Sequence, residues 1–288
     1  MRAHDPQVET GEDGGVPAVT AALVDGHVHL HDCFEVPKFL DTAAANFAAA
    51  AMVLGMPAEV AGCLMLSESR GVDNFARLAD GTPSTGVWRI EPTREPVSLI
   101  ARKDGGSPIV MIAGRQIVCR EGLEVLALGT RATFADGQPL RDTLGLVAAE
   151  DAIAVVPWGV GKWQGARGRL VAGLLQECPV RPLYLGDNGG RLGLARRPRL
   201  FARAAGRRMW VLPGSDPLPF AGQLSKVAGY GFVAEVALGH ETPFATLKGY
   251  LDRLETAPRL FGRLETLPGF IRSQVAMQLQ KRYRPRAQ

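Results

Sequence analysis

Short apolar runs that alternate with helical patterns restrict the fold of this chain more than any other feature. The runs are AALVDG (21–26), AGCLMLS (61–67), AIAVVPW (152–158), RPLYLGD (181–187) and MWVLPG (209–214). We interpret them as strands, because a segment of helical periodicity follows most of them. Repeated strand–helix units imply parallel strands joined by right-handed crossovers. Because no Gly-x-Gly-x-x-Gly follows the first run, the pattern favours a barrel over a dinucleotide-binding sheet.

One segment departs from this alternation. Residues 97–129 read VSLIARKDGGSPIVMIAGRQIVCREGLEVLALG, with turn signals at KDGG, AG and REG, which predicts β-strands and hairpins. We therefore predict an α/β protein whose main domain, residues 21–262, is a distorted, TIM-like (β/α) barrel of about seven strands with an inserted β-hairpin region. Residues 263–288 are expected to form a C-terminal helix with a basic tail. Residues 1–20 are polar and lack an apolar core, so we expect a flexible segment there and not a signal peptide.

Composition narrows the cellular setting and the broad class of protein. The 288 residues are 46% hydrophobic, which is enough to bury a large core. No uninterrupted apolar run reaches the roughly 18 residues that a spanning helix needs, so no transmembrane segment is expected. The four cysteines lie far apart with no Cys-x-x-Cys, which predicts a reduced, cytoplasmic protein without a disulfide framework or a thiolate zinc site.

Positive charge is concentrated in the arginine-rich segment 191–208, within a chain of net charge +4. Such a segment is typical of a solvated helix face, and a patch for an anionic substrate or for nucleic acid is the alternative. No interleaved aromatic residues and no recognisable nucleic-acid motif accompany the arginines. The sequence therefore does not favour nucleic acid as a partner.

A cluster of histidines follows the first predicted strand, in VDGHVHLHDCF (24–34). Residues two apart on an extended segment project to the same side, so His27 and His29 can converge on one cation. Imidazole suits zinc, manganese or iron. His31 and Asp32 could orient these ligands or shuttle protons. The alternative is a pair of histidines hydrogen-bonded within a loop.

Other polar residues also stand at the ends of predicted strands, where β/α barrels carry their chemistry. Asp216, in GSDP after the last apolar run, could bind a metal or accept a proton from water. Asp187 and Asn188 follow LYLG, and Trp158 ends AIAVVPW. A turn or helix cap is the alternative for Asp216, and an Asx turn is the alternative for GDNGGR (186–191).

A glycine-rich loop, WGVGKWQGARG (158–168), joins a predicted strand to a predicted helix. Its spacing is not that of a Walker phosphate loop, because Trp163 follows Lys162 where Ser or Thr is required. Lys162 and Arg167 before a helix N-terminus could still cradle an anion. A tight β–α turn with a packed Trp is the alternative.

Taken in order, these segments resemble the PHP (polymerase and histidinol phosphatase) family of metal-dependent phosphoesterases, and more distantly the amidohydrolase-type hydrolases. VDGHVHLHDCF is similar to the opening His-x-His motif of the PHP family, LYLGDNGG to its Glu-x-x-Asn strand, and LPGSDPLP to its Gly-Ser-Asp-Ala-His motif. The similarity spans roughly residues 23–220. The resemblance implies that His27, His29 and Asp216 bind metal, and it places Asn188 at the family's asparagine.

Three positions depart from the pattern of the PHP family. Gln116 replaces a metal-bridging glutamate, Trp158 replaces a histidine, and Leu218 stands where the last histidine of the family motif belongs. A full three-metal site would lack several ligands. The resemblance therefore implies a reduced site, able to hold one cation and water, as sites with three protein ligands do.

These observations predict a metal-dependent hydrolase. A divalent metal (zinc, manganese or iron) on His27, His29 and Asp216 would activate water for attack on a phosphoester of a small anionic substrate. Lys162 or Arg167 would bind the anionic group. The alternative is a catalytically inactive relative of such enzymes that serves as a binding or assembly protein. The C-terminal pattern GFIRSQVAMQLQKRY (269–283) predicts an amphipathic helix that could contact a protein partner.

Overall fold

The structure is a computed structural model that describes residues 21–57 and 59–283. The expected flexible segment, residues 1–20, and the end of the basic tail, residues 284–288, lie outside the described residues. Within the described part of the chain, no helix combines the length and the apolar character needed to cross a bilayer.

The chain alternates between strands and helices. The strands are β1 (Ala22–Val28), β2 (Ala61–Leu66), β3 (Arg89–Pro92), β4 (Ser98–Arg102), β5 (Ile109–Ile112), β6 (Gly114–Val118), β7 (Glu124–Leu128), β8 (Ile153–Pro157), β9 (Leu183–Asn188), β10 (Val211–Gly214), β11 (Tyr230–Ala234) and β12 (Leu260–Gly262). The helices are α1 (Val36–Leu54), α2 (Asn74–Ala79), α3 (Leu140–Ala149), α4 (Gly165–Glu177), α5 (Arg199–Ala205), α6 (Pro243–Asp252) and α7 (Leu267–Tyr283). A short 3-10 helix covers Ala221–Lys226.

The strands form two mixed sheets. The larger sheet has seven strands in the order β12-β11-β1-β2-β5-β4-β3, and the smaller has five in the order β10-β9-β8-β7-β6. In the larger sheet only the β1–β2 and β2–β5 pairs are parallel. In the smaller sheet β8, β9 and β10 are parallel, and the β6–β7 and β7–β8 pairs are antiparallel. The antiparallel β4–β5 and β6–β7 pairs agree with the hairpins predicted for residues 97–129.

The predicted TIM-like (β/α) barrel is wrong, because in the described part of the chain neither sheet closes on itself. Short turns join β3 to β4, β4 to β5 and β6 to β7, and each such turn reverses the chain. A parallel closed barrel requires a crossover after every strand. The antiparallel β11 and β12 also extend one edge of the larger sheet beyond β1.

The two sheets pack across a shared apolar core. Val24 and Met65 on the larger sheet meet Leu126 and Leu212 on the smaller one, and α6 adds Leu247 to the same cluster. Neighbouring residues on β1 and β2 point the other way, into a second cluster covered by α1. Helices α3, α4 and α5 cover the outer face of the smaller sheet. Because both faces of the inner strands are buried, their sequences are apolar runs without alternation.

The two edges of the smaller sheet lie against the larger sheet at two short junctions. At one edge the Asp216 nitrogen, just after β10, donates to the His27 carbonyl of β1 over 2.8 Å. At the other edge Glu68, just after β2, forms an isolated bridge with Arg115 of β6. The Gln116 nitrogen donates to the Glu68 carbonyl over 2.9 Å. These two junctions bring residues from distant parts of the chain to one side of the core.

Candidate metal centre

Three of the predicted ligands converge at the β1–β10 junction. The Nε2 atoms of His27 and His29 are 3.1 Å apart. The Oδ1 atom of Asp216 lies 3.6 Å from the first and 3.5 Å from the second. Both histidines are buried, and the Asp216 side chain is 20% exposed. The i, i+2 spacing on an extended segment therefore places both imidazole rings on the same side, as the sequence predicted.

Close backbone packing places Asp216 beside the histidines. Gly214 ends β10, and a Cβ atom added there would overlap the backbone nitrogen of His27. The smaller sheet can approach β1 this closely only because the position is glycine. Asp216 itself has φ of 44°, in the left-handed region that few residues other than Gly, Asn and Asp adopt.

Asp25 joins the chain segments that meet at the β1–β10 junction, a role that the sequence analysis missed. Its carboxylate is fully buried and accepts hydrogen bonds from the backbone nitrogens of His27, Ser215 and Ala228, and from the Ser215 hydroxyl at 2.5 Å. It thereby joins β1 to the segments after β10 and before β11. Burial raises the pKa of Asp25 to about 7, and the hydrogen bonds from Ser215, His27 and Ala228 act in the opposite direction. An acidic residue inside an otherwise apolar run was the available signal.

The electrostatics of the centre favour a neutral imidazole at His27 and an ionised carboxylate at Asp216. Burial lowers the pKa of His27 below the ordinary histidine value. Burial by itself would raise the pKa of Asp216, but its interactions with His27 and His29 outweigh it, so this pKa lies well below its usual range. The Asn188 amide also donates to the Asp216 Oδ2 atom over 2.6 Å. Neutral imidazole and carboxylate are the forms that bind metals.

The spacing of the three atoms fits one tetrahedral cation. Two ligand atoms about 2.05 Å from zinc at a tetrahedral angle are about 3.3 Å apart. The three observed separations, 3.1, 3.6 and 3.5 Å, lie on either side of that value. The Nδ1 atom of His27 is buried and has no hydrogen-bond partner among the described residues. Metal-bound histidines usually donate from that second nitrogen, so this support for the ligand is missing.

Gln116 and Trp158 lie at the positions where the family resemblance calls for further ligands. The Gln116 Oε1 atom is 3.2 Å from the His27 Nε2 atom, so the amide contacts the centre as a neutral group. Trp158 follows β8 and lines a cavity next to Asp216 together with Asn188. Neither residue adds a charged ligand to the three.

His31 and Asp32 lie on the loop after β1. The His31 ring stacks on His29, with centroids 5.2 Å apart, and its Nε2 atom is 2.8 Å from the Pro217 carbonyl. Burial lowers the pKa of His31. Asp32 is exposed at the mouth of the cavity on the His29 side. His31 is thus in position to hold His29, whereas Asp32 does not contact the three ligand atoms.

The two predicted anion-binding residues have different surroundings in the structure, and Lys162 is the one that lines the cavity. Lys162 reaches the cavity beside Asp216 and forms an ion pair with Glu124, which the sequence analysis did not identify. Arg167 instead donates to the Gly161 carbonyl over 3.0 Å, within its own loop.

Asp187 belongs to the structural core and not to the cavity. Its carboxylate accepts hydrogen bonds from the Arg191 side chain at 2.7 and 2.8 Å and from the Tyr230 hydroxyl at 2.9 Å. Arg191, the first arginine of the 191–208 segment, is buried by this pairing and does not contribute to a solvated face.

Two cavities flank the centre. One, of about 210 Å³, is reached from Asp216 and is lined by Asn188, Trp158 and Lys162 and by residues of α7. The other, of about 490 Å³, is reached from His29 and is lined by His31, Asp32, Glu68 and Arg70, among others. A cation on the three ligand atoms would lie between them.

Comparison with known proteins yields structural neighbours only. No protein-family model and no curated protein matches the chain. The solved structure of PsfC from Pseudomonas syringae superposes with a TM-score of 0.52 at 15% identity, covering 91% of this chain and 99% of PsfC. This likeness shows that the two proteins share a fold.

A second solved structure comes from Bacteroides vulgatus and is a two-domain protein described as containing a predicted PHP-like metal-dependent phosphoesterase. It matches with a TM-score of 0.43 at 12% identity, over 85% of this chain and 67% of the other. A TM-score of 0.43 is too low to establish a shared fold.

Proposed function

We propose that this protein is a metal-dependent hydrolase that acts on a phosphoester. The observation that carries the proposal is the convergence of His27 Nε2, His29 Nε2 and Asp216 Oδ1 at separations suited to one divalent cation. A cation held there would supply Lewis-acid chemistry, lowering the pKa of water and stabilising charge on a phosphoryl oxygen. With three protein ligands, the site keeps room for water or substrate.

The surrounding residues have separate roles in this proposal. Asn188 holds the Asp216 carboxylate by donating to its Oδ2 atom, which leaves Oδ1 directed at the histidines. His31 packs against His29 and restricts its ring. Lys162 presents an ammonium group to the cavity beside Asp216, where it can bind the anionic part of a substrate. Glu124 holds that ammonium group in place through their ion pair.

A second candidate is a binding or assembly protein without catalytic activity. Neutral Gln116 next to His27 favours it, because an amide is a poor substitute for a carboxylate that bridges two cations. The buried His27 Nδ1 atom without a partner also favours it, since the usual support for a metal-bound histidine is absent from the described residues.

Metal content distinguishes the two candidates. Protein purified without an affinity tag should contain close to one equivalent of zinc, manganese or iron by elemental analysis. A His27→Ala/His29→Ala variant should lose it, and His240→Ala should not, because His240 is exposed and paired with Arg102 outside the centre. Substoichiometric metal in the parent, unchanged in the double variant, would contradict the hydrolase proposal.

Metal-loaded protein should hydrolyse a phosphomonoester or phosphodiester in a substrate panel, and Asp216→Asn should lower kcat/KM by at least about a hundredfold.

A further inference from the structure

The cavity beside Asp216 has one wall that comes from the C-terminal helix. Asp216, Asn188, Trp158 and Lys162 line it from the ends of the smaller sheet. The α7 residues Ser273, Gln274, Met277 and Gln278 line the opposite side. The Gln223 amide donates to the Ser273 hydroxyl over 3.2 Å and joins α7 to the 3-10 helix beneath it. Helix α7 is therefore part of the cavity that opens on the candidate centre.

Two side-chain amides on this wall have unused hydrogen-bonding capacity. Gln274 and Gln278 are four residues apart, so they lie one helical turn apart on the same face. Neither makes a hydrogen bond or ion pair with the described residues. Each amide offers two N–H donors and one carbonyl acceptor. A hydroxyl group, which both donates and accepts, can pair with both kinds of group on such an amide.

The other walls of the cavity carry charged side chains. Lys162 and Lys226 bring ammonium groups to the cavity, each paired with a carboxylate, Glu124 and Glu265 respectively. An ammonium group has three donors, so one carboxylate partner leaves capacity for an anion. The cavity thus has charged groups of both signs near Asp216, two of them ammonium donors, and a neutral, hydrogen-bonding side on α7.

Its size limits the ligand further. The cavity has a volume of about 210 Å³. Drug-sized ligands and larger metabolites occupy cavities of about 300–1,000 Å³. A three-carbon phosphate ester therefore matches this volume better than a nucleotide does.

We propose that this cavity binds a small phosphorylated polyol. The phosphate lies toward the Lys162 ammonium group, and the hydroxyl groups lie against Gln274 and Gln278 of α7. The inference rests on the function proposed above for the same site, and it adds the substrate class and the residues that select it. Gln274 and Gln278 are specificity-determining residues in this arrangement, because they contact the part of the ligand that distinguishes a polyol from an alkyl chain.

Calorimetric binding of two matched probes to the full chain tests the proposal. Glycerol 3-phosphate and propyl phosphate share the carbon skeleton and the phosphate and differ in the hydroxyl groups. The parent protein should bind glycerol 3-phosphate about 25-fold more tightly than propyl phosphate, because each of its two hydroxyl groups gains a net hydrogen bond and each contributes about 1 kcal/mol, or about fivefold. Gln274→Leu should weaken binding of glycerol 3-phosphate about fivefold and leave propyl phosphate unchanged. Val275→Leu, at an exposed position of the same helix, should change neither.

Three outcomes overturn the assignment of this cavity. They are equal affinity of the parent for the two probes, no binding of either probe, and equal weakening of both by Gln274→Leu. Loss of glycerol 3-phosphate binding in Arg70→Leu but not in Gln274→Leu would place the ligand in the cavity on the His29 side and also overturn it. Metal analysis of the same samples separates the two proposals. Metal-free protein that still prefers glycerol 3-phosphate through Gln274 supports the cavity and contradicts the hydrolase, whereas metal-loaded protein without that preference overturns the cavity assignment alone.

Discussion

At the scale of single residues, side chains of the same type have different roles because their partners on distant segments differ. Asp187 and Asp216 each follow an apolar strand, and the sequence predicts a site role for both. In the structure Asp187 forms an ion pair with Arg191 and accepts a hydrogen bond from Tyr230, whereas Asp216 faces two imidazole rings. Asp25, the third carboxylate, is fully buried and joins three chain segments.

The pKa of Asp25 predicts how stability depends on pH. Burial raises it from the ordinary value of 3.8 to about 7, so between about pH 4 and 7 the folded protein holds a proton that the unfolded chain has released. This contribution to the free energy of unfolding is fully present below about pH 4 and is lost as the pH rises through about 7. Denaturant unfolding at a series of pH values should show the decline. In Asp25→Asn, which is destabilised throughout because an amide cannot accept all four hydrogen bonds, this component of the slope should vanish. A slope unchanged by the substitution would contradict the assignment.

At the scale of elements, the candidate centre depends on how closely β10 approaches β1. Gly214 permits this approach, and the Asp216–His27 backbone hydrogen bond maintains it.

The exposure of helix α7 also depends on tertiary packing. The sequence correctly predicts a helix there, yet its large apolar residues Ile271, Val275 and Leu279 are about half exposed. The helix contacts the cavity through Gln274 and Met277 instead, and the protein partner predicted for the apolar face stays a prediction.

Gly214→Ala should separate the two strands. The added methyl group overlaps the His27 backbone nitrogen, and we expect a loss of about 1–3 kcal/mol in the free energy of unfolding, typical of overpacking. Because His27 and Asp216 move apart, metal affinity should fall at least about tenfold. Gly222→Ala is the matched control, since a Cβ atom there meets nothing within 4 Å. Denaturant unfolding and metal titration measure the two effects. Equal behaviour of both variants would show that the close approach is unimportant.

At the scale of the whole molecule, the two sheets depend on two junctions and a shared core. The junction opposite the candidate centre contains a buried ion pair, in which the Arg115 Nη1 atom donates to the Glu68 Oε2 atom over 2.6 Å. The same guanidinium group donates to the Val72 carbonyl over 2.9 Å. Burial raises the pKa of Glu68, and the charge of Arg115 partly offsets this. Removing Arg115 therefore leaves the Glu68 carboxylate buried without its ion-pair partner.

Arg115→Met should lower the free energy of unfolding by about 3–5 kcal/mol, because the Glu68 carboxylate remains buried without its partner. The Glu68→Gln/Arg115→Met double variant should recover part of this loss. Arg89→Met breaks an exposed pair with Asp104 and should leave the unfolding midpoint unchanged. Chemical denaturation of the full chain measures all three. Equal stabilities of the parent and Arg115→Met would show that this junction does not hold the sheets together.

The sequence by itself determined the local features of this protein. Apolar runs, helical periodicity and turn residues placed most strands and helices, including the hairpins of residues 97–129, because these signals act over a few neighbouring residues. The i, i+2 spacing placed the His27 and His29 rings on one side for the same reason. Two sheets instead of a barrel, the pairing of Asp187 away from the centre, and the α7 wall were decided by the tertiary structure alone. Each depends on which distant segments pack together, and a buried carboxylate such as Asp25 acquires its role only when that packing supplies its donors.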